Sequence, residues 1–229
     1  MFSTILATLV LALVPTAAVQ PHAVQPAHSA SKPNYLVAYP RGPVMLYSSP
    51  RGRIIGQADR LDEFGQPKAW AVVKQEGRWL AILDPAGNNR PVWVRASKQL
   101  GYRHIRISLS ISLKHRTLTV FRARRAIYRM PVGVGAAGTP TPLGHFGVTD
   151  HLPGGRFSPT YGCCILALSG HQTHTPASWP GGDRLAIHGT DAPSTIGQAA
   201  SYGCLRGDST NLRFLMHRVP IGTQVFIRP

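Results

Sequence analysis

Two residues of this sequence have the side-chain chemistry of a nucleophile and its base. His188 and Cys204 lie 16 positions apart and are joined by small and turn-forming residues. A thiol becomes an effective nucleophile when a neighbouring base or a positive charge favours its thiolate. A single helical turn cannot join residues at this spacing, but a loop can fold back and bring the two side chains together. The pair therefore predicts cysteine-dependent acyl transfer or hydrolysis.

The residues next to Cys204 suit a nucleophile that is presented on a turn. Gly203 permits a strained turn and a close approach of the backbone to a substrate. The backbone around Tyr202 and Gly203 would then hold the oxyanion of an acyl-transfer intermediate. The alternative is structural, because a lone Cys is usually a small buried hydrophobe and a lone His usually a satisfied core or surface group.

Four blocks of sequence resemble one known family. Residues 187–206 contain I-H-G-T and then S-Y-G-C-L-R, which resembles the signature of the L,D-transpeptidases, the YkuD-type catalytic domain of bacterial cell-wall enzymes. Residues 139–148, 161–170 and 222–227 resemble three strands of the same family, in the same order. Four ordered blocks over roughly half of the chain are more specific than one motif.

The resemblance implies a reaction and a catalytic set. Cys204 would attack the peptide bond that links the third residue of a peptidoglycan stem to its terminal D-Ala, with His188 as the base. The carbonyl of Gly189 would fix the imidazole tautomer, and an amine of a second stem would resolve the thioester. Water as the acceptor would give an L,D-carboxypeptidase, and a non-catalytic cell-wall-binding protein is the alternative of a different class. No cofactor and no metal are expected.

The resemblance also implies residues that contact the substrate. Arg206 would bind a stem-peptide carboxylate, Ser201 would support the oxyanion loop, and Tyr161 would line the donor groove. A surface or structural ion pair is the alternative for Arg206. Tyr202 departs from the family, which usually has His at this position. Because a phenol cannot serve as a base near neutral pH, His188 is the only candidate base.

The remaining cysteine and histidine residues allow two alternatives. The chain has three cysteines, and a disulfide from Cys204 to Cys163 or Cys164 would block the nucleophile. Two inert, buried thiols at Cys163 and Cys164 are the favoured expectation, since burial is the usual state of free Cys. His171 and His174 suggest zinc, but they lack a second ligand pair at metal-binding spacing, so no metal site is predicted.

Composition and the N-terminus bear on partners and compartment. A net charge of +16 over 229 residues favours a polyanionic partner, here anionic cell-wall polymers alongside the stem peptides. Nucleic acid is not expected, because the basic residues are scattered and form no basic helix or RNA-binding motif. Residues 1–18 predict a signal peptide, with an uncleaved anchor as the alternative. We therefore expect an extracytoplasmic monomer in the periplasm or cell wall, with transient membrane association through the leader.

The pattern of apolar runs predicts a mainly β protein. Residues 19–33, rich in Pro, Ala, His and Ser, predict a flexible linker. In residues 34–101, short apolar runs between Gly and Pro turns predict a small β-barrel, which resembles bacterial SH3-like domains. Trp79 and Trp93 are expected to anchor its core, with stacking on a ligand as the alternative. Residues 102–229 would form the catalytic domain, a β-sandwich or barrel with one or two short helices.

Two segments of the predicted catalytic domain are less regular. Residues 149–159 lack an apolar pattern and predict either a mobile flap or a plain surface connection. Residues 209–218 have apolar side chains at helical spacing, and Asp208 is the candidate N-cap. We therefore expect a helix that packs on the sheet directly after the Cys204 segment.

Overall fold

A computed structural model describes residues 34–176, 179 and 181–229. The predicted signal peptide (1–18) and linker (19–33) lie outside the described residues. In the described part, strands dominate and one α-helix is present, which confirms the mainly β prediction. No helix among the described residues is long and apolar enough to cross a membrane.

The first part of the chain forms a seven-stranded antiparallel sheet, here called the N-terminal sheet. Its strands are β1 (Tyr35–Pro40), β2 (Val44–Tyr47), β3 (Ile54–Ala58), β4 (Trp70–Glu76), β5 (Trp79–Ile82), β6 (Val92–Arg95) and β7 (Leu100–Ile105). They are arranged in the order β3-β2-β6-β5-β4-β1-β7. The predicted domain boundary at residue 102 falls within β7, which pairs with β1 along its whole length.

The aromatic core of the N-terminal sheet differs from the prediction. Trp70 is fully buried, and its indole N–H donates to a carboxylate oxygen of Asp84 over 2.6 Å. Trp79 and Trp93 are only half-buried, so the expectation that they anchor the core is wrong. Side chains alternate across a strand, and in β6 it is the flanking valines that point inward while Trp93 points to the other face.

The second part forms an eight-stranded sheet, here called the C-terminal sheet, in the order β10-β9-β8-β17-β12-β13-β14-β16, and β11 pairs separately with β15. The strands are β8 (Ile107–Ser112), β9 (Thr117–Arg122), β10 (Arg125–Pro131), β11 (Val134–Gly135), β12 (Gly144–Pro153), β13 (Cys164–His171), β14 (Arg184–His188), β15 (Ala199–Ser201), β16 (Leu205–Arg206) and β17 (Gln224–Arg228). In residues 106–113, apolar and polar side chains alternate, which predicts a strand with its apolar side chains on one face. This strand is confirmed as β8, in which Ile107, Leu109 and Ile111 are buried and Ser108 on the other face is buried as well.

The irregular segment after residue 149 is partly a strand. β12 continues to Pro153 and pairs with β13, followed by short 3-10 turns at Gly154–Arg156 and Pro159–Tyr161. The sequence hides this strand because polar side chains occupy its buried positions. Thr149 and Asp150 are both buried, and the Thr149 hydroxyl donates to the carbonyl of Ala167. The expectation of a flap or loop over the whole segment is therefore wrong.

The predicted helix is confirmed as α1 (Ser209–Arg218). The carboxylate of Asp208 caps it by accepting from the backbone N–H of Asn211 over 2.9 Å. Leu212 and Leu215 are fully buried against the C-terminal sheet. The helix therefore packs one apolar face on the core, as its spacing predicts.

The two sheets share polar contacts within one compact unit. The side chain of Gln224 in β17 donates to the carbonyl of Val72 in β4 over 3.1 Å. The amide of Asn89 accepts from the backbone N–H of His171 over 2.7 Å and donates to its carbonyl over 3.0 Å. The N-terminal sheet region is thus fixed directly to the end of β13, a strand next to the site described below.

Candidate active site

Cys204 ends a tight turn, here called the nucleophile turn (residues 201–204). The buried hydroxyl of Ser201 donates to the carbonyl of Cys204 over 2.6 Å and accepts from the N–H of Gly203 over 3.0 Å. Gly203 has a φ of +108°, a backbone conformation that residues other than glycine rarely adopt. A Cβ at this position would also lie 2.0 Å from the Gln172 side-chain oxygen. The turn therefore requires glycine at position 203 for two reasons, the backbone conformation and the lack of space for a Cβ.

Two threonines before β12 hold this turn. The hydroxyl of Thr139 donates to the carbonyl of Ser201 over 2.9 Å, and that of Thr141 donates to the carbonyl of Gly203 over 2.7 Å. Thr141 also accepts from the N–H of Gly135 in β11 over 2.9 Å. The block 139–148, recognised in the sequence as a strand, thus begins with residues that position the nucleophile.

Parallel pairing of β14 with β16 brings the predicted residues together. His188 and Arg206 are register partners in this pair, and Cys204 directly precedes β16. As a result, all three side chains line one pocket, together with Tyr161, Ser201 and Tyr202. The sequence-predicted site residues therefore meet at one place, with Gly189 and Gly203 contributing backbone atoms beside it.

His188 has the properties of a neutral base. Its side chain is 4% exposed, and Nδ1 lies 2.5 Å from the carbonyl oxygen of Gly189. A carbonyl only accepts hydrogen bonds, so Nδ1 carries the proton and Nε2 is left to accept one. Burial lowers the pKa of His188 to about 4, which keeps the imidazole neutral near pH 7. The ring of Tyr161 packs edge-on against it, with centroids 4.9 Å apart.

Opposing influences act on the Cys204 thiol. Burial raises its pKa, whereas a backbone contact at Ala186, the side-chain amide of Gln172 and the charge of Arg206 act in the other direction. Its sulfur lies 3.7 Å from Gln172 Nε2 and 3.7 Å from the carbonyl oxygen of Arg184. Proton transfer to His188 therefore requires the thiol to turn away from that carbonyl. Such contacts often tighten only when substrate binds.

Arg206 presents a positive charge to the pocket. Its guanidinium contacts the hydroxyl of Thr195 at 3.4 Å, and it forms no ion pair with a carboxylate in the described part of the chain. Tyr202 lies at the rim, 47% exposed, with its ring 5.2 Å from that of Trp179. The pocket thus combines a thiol, a neutral imidazole and an unpaired guanidinium.

Gln172 is a pocket residue that the sequence did not reveal. It lies 32 positions before Cys204, directly after β13, in a segment whose sequence shows no regular pattern. Only the pairing of β13 with β14 brings it beside the nucleophile. A single Gln in an irregular segment carries no recognisable signal, so only the structure could identify it.

The other cysteines and histidines differ from expectation. Cys163 and Cys164 form a disulfide with each other, which leaves Cys204 as the free thiol. The prediction of two free thiols is therefore wrong, because neighbouring residues in the chain bond to one another. The ring of His171 contacts a carboxylate oxygen of Asp183 and the carbonyl of Pro85 at 3.0 Å each. Among the described residues, no group of three His, Cys, Asp or Glu is placed to hold a metal.

Comparison with known proteins places these features in a family. A family model described as YkuD, L,D-transpeptidase catalytic domain, matches residues 106–227, just over half of the chain. The YkuD protein of Bacillus licheniformis, named an L,D-transpeptidase, is 36% identical over 123 residues, which cover 53% of this chain and 65% of that protein. The YkuD protein of Bacillus subtilis is 34% identical over 121 residues, 52% of this chain and 64% of that protein. The match therefore spans just under two thirds of these relatives.

Solved structures give a weaker likeness. An L,D-transpeptidase from Mycobacterium smegmatis aligns with a TM-score of 0.43 and 15% identity, covering 61% of this chain and 74% of that one. An Enterococcus faecium L,D-transpeptidase aligns with a TM-score of 0.42 and 18% identity, covering 53% of this chain and 49% of that one. The assignment rests on the family model instead: this chain belongs to the family defined by the YkuD-type L,D-transpeptidase catalytic domain.

Proposed function

We propose that the protein is a peptidoglycan L,D-transpeptidase with Cys204 as its nucleophile and His188 as its base. One observation carries this proposal. The free thiol shares a pocket with an imidazole whose Nδ1 is tied to the carbonyl of Gly189, so that Nε2 is the nitrogen available to take a proton. Family membership supports the reaction class.

The first half-reaction forms a thioester. The sulfur of Cys204 attacks the carbonyl of the bond between the third stem residue and the terminal D-Ala, and Nε2 of His188 takes the thiol proton. When the tetrahedral intermediate collapses, the C–N bond breaks and His188 returns that proton to the leaving amine. D-Ala departs and the stem stays on Cys204 as a thioester.

The second half-reaction determines the product. An amine of another stem attacks the thioester carbonyl, His188 takes the proton of that amine, and the departing sulfur recovers a proton as the new amide bond forms. Two stems are then cross-linked and the thiol is regenerated. Attack by water in place of the amine would release a shortened stem, which is the carboxypeptidase alternative.

The polar groups around the sulfur have distinct proposed roles. The guanidinium of Arg206, which forms no ion pair with a carboxylate among the described residues, supports capture of a stem-peptide carboxylate, because its planar fork matches both carboxylate oxygens. The half-buried Tyr161, which packs on His188, would line the donor side of the pocket. The N–H of Gly203 donates to Ser201 in the resting turn, so an oxyanion role for Gly203 requires that bond to be exchanged for one to substrate.

The rest of the chain suggests where this activity takes place. We propose an extracytoplasmic location, supported by the apolar run and small residues of the leader. The N-terminal sheet would act as an SH3-like module of a cell-wall enzyme. The net charge of +16 supports additional binding to anionic wall polymers.

The test uses a defined substrate. Purified protein is incubated with a disaccharide-tetrapeptide, and the products are followed by mass spectrometry beside Cys204→Ala. A Cys163→Ser/Cys164→Ser double variant serves as the matched control, since it also removes sulfur but leaves the nucleophile. A dimer formed with loss of D-Ala, absent from Cys204→Ala alone, is the expected result. A tripeptide without dimer would indicate a carboxypeptidase, and absence of turnover with and without reductant would overturn the enzymatic proposal for this substrate.

A further inference from the structure

The side chain of Gln172 is fixed against the nucleophile turn. Gln172 is buried, with 9% of its surface exposed, and its backbone N–H donates to the carbonyl of Asp183 over 2.6 Å. Its amide plane packs on Gly203 so closely that a Cβ there would clash with all three terminal atoms. From this position Nε2 lies 3.7 Å from the sulfur of Cys204.

A donor at this place acts differently on the two forms of the thiol. A neutral thiol is a weak acceptor, whereas a thiolate carries a full negative charge and accepts strongly. A hydrogen bond from an amide N–H therefore stabilises the thiolate more than the thiol. The direction agrees with the influence of Gln172 on Cys204, where its side chain opposes the rise in pKa that burial causes.

The N-terminal sheet region holds the chain next to Gln172. Asn89, from the loop between β5 and β6, forms a pair of hydrogen bonds with the backbone N–H and carbonyl of His171. The His171 ring adds a contact to the carbonyl of Pro85 in the same loop. These bonds fix both backbone polar groups of the residue directly before Gln172. Movement of the amide away from the sulfur is therefore opposed by contacts made across the two sheets.

We propose that Gln172 is a catalytic residue whose side-chain amide donates to the sulfur of Cys204, and that Asn89 is a positioning residue that keeps it there. This inference deepens the proposed function and rests on it in one respect, the role of Cys204 as nucleophile. It gives the N-terminal sheet a part in the chemistry of a pocket formed by the C-terminal sheet.

The test measures the thiol without any peptidoglycan substrate. The rate of alkylation by iodoacetamide is followed against pH, at the tryptic peptide 185–206 that contains Cys204, without reductant. Gln172→Met keeps the bulk but removes the donor, and Gln172→Glu keeps the shape but adds a charge. Gln57→Met, at an exposed position on β3, is the matched control.

We expect the pH profile of Cys204 alkylation to move to higher pH in the Gln172 variants. Loss of one hydrogen bond to a charged group should slow alkylation of Gln172→Met about tenfold to a hundredfold near neutral pH, while the profiles converge at alkaline pH. Gln172→Glu should shift further in the same direction, because a carboxylate disfavours the thiolate. Profiles of Gln172→Met and wild type that superimpose would overturn the proposal. Thermal melts identify any variant that is not folded; if Gln172→Met is one of them, Gln172→Leu, which also removes the donor without adding a charge, provides the decisive profile.

The positioning role is tested by a double-mutant cycle. Asn89→Ala should shift the profile in the same direction as Gln172→Met, and the double variant should be no slower than Gln172→Met alone, because both act through one contact. Asn88→Ala, at the neighbouring exposed position, should leave the profile unchanged. Additive effects would contradict the role of Asn89. Failure of peptidoglycan turnover would affect only the proposed function, since alkylation reports on the thiol alone.

Discussion

The hydroxyl of Thr141 donates to the carbonyl of Gly203 over 2.7 Å, which joins the segment before β12 to the nucleophile turn. Thr141 is 4% exposed and also accepts from the N–H of Gly135. Thr141→Val keeps the shape of the side chain but removes its hydroxyl, so the carbonyl of Gly203 and the N–H of Gly135 both lose this hydrogen-bond partner. We expect a loss of about 1–3 kcal/mol in the free energy of unfolding together with slower acylation, because the turn is no longer fixed.

Thr117→Val is the matched control for this change. The Thr117 hydroxyl donates to the carbonyl of His115 at an exposed turn, where water can replace it. Chemical denaturation and alkylation of Cys204 should both remain near wild type in this variant. A Thr141→Val protein with unaltered alkylation kinetics would show that the hydroxyl stabilises the fold without positioning the sulfur.

The sequence predicted those parts of the site that depend on local patterns. The alternation in residues 107–113 predicts β8, the cap and spacing at residues 208–218 predict α1, and the spacing of His188 and Cys204 predicts a loop that brings them together. Long-range pairing determines the rest. Gln172 and Asn89 reach the site only through strand order, and buried Asp150 hides a strand because its polar side chain interrupts the apolar pattern. The partner of a cysteine likewise cannot be derived from composition, so the sequence alone does not predict the Cys163–Cys164 bond.

Gly203→Ala should disturb the nucleophile turn more than Gly197→Ala, a second change at a glycine with a positive φ. The new Cβ would meet both an unfavourable conformation at φ +108° and the side chain of Gln172. Strain of this kind costs roughly 1–3 kcal/mol, and displacement of the Gln172 amide should slow alkylation of Cys204 as well.

Gly197→Ala separates the two effects. Gly197 also has a positive φ, +77°, but nothing lies within 4 Å of a Cβ built there. Gly197→Ala should therefore lose stability from backbone strain alone. Under conditions in which the protein is folded, its Cys204 should be alkylated at the wild-type rate. Equal alkylation rates in the two variants would contradict the steric part of this account.

Asp150 should make the protein less stable as pH rises. Its carboxyl is 1% exposed, and burial, followed by the influence of the neighbouring Asp62 carboxyl, raises its pKa to about 7 from 3.8. The folded state therefore binds a proton that the unfolded state has released. The stability linked to this proton is present in full below pH 3.8 and is lost as pH rises through about 7.

Asp150→Asn tests this linkage, because an amide cannot titrate. Urea unfolding at about pH 5 and about pH 8 should show a smaller pH dependence in Asp150→Asn than in wild type. The exposed Asp59→Asn should follow the wild-type pattern. The predicted sign would be wrong if wild type became more stable from the lower to the higher pH while Asp150→Asn did not.

The pH dependence of acylation should reflect a base that titrates unusually low. Burial lowers the pKa of His188 to about 4 and raises that of the Cys204 thiol, so thiol and neutral imidazole coexist across the neutral range. The rate of D-Ala release should therefore fall on acidification with a midpoint near pH 4, and not near the ordinary histidine value of about 6.5.

Burial is the main cause of the low pKa of His188, and the charge of Arg206 lowers that pKa further. The hydrogen bond to the carbonyl of Gly189 acts in the opposite direction. Arg206→Gln should consequently move the acid limb of the profile to higher pH, whereas Arg213→Gln, at an exposed position on α1, should not. Single-turnover release of D-Ala at saturating substrate separates this effect from weaker binding of a stem carboxylate. An acid limb that stays near 6.5 in wild type would mean that His188 is solvated before the proton is transferred, and that the resting pocket is not the reactive one.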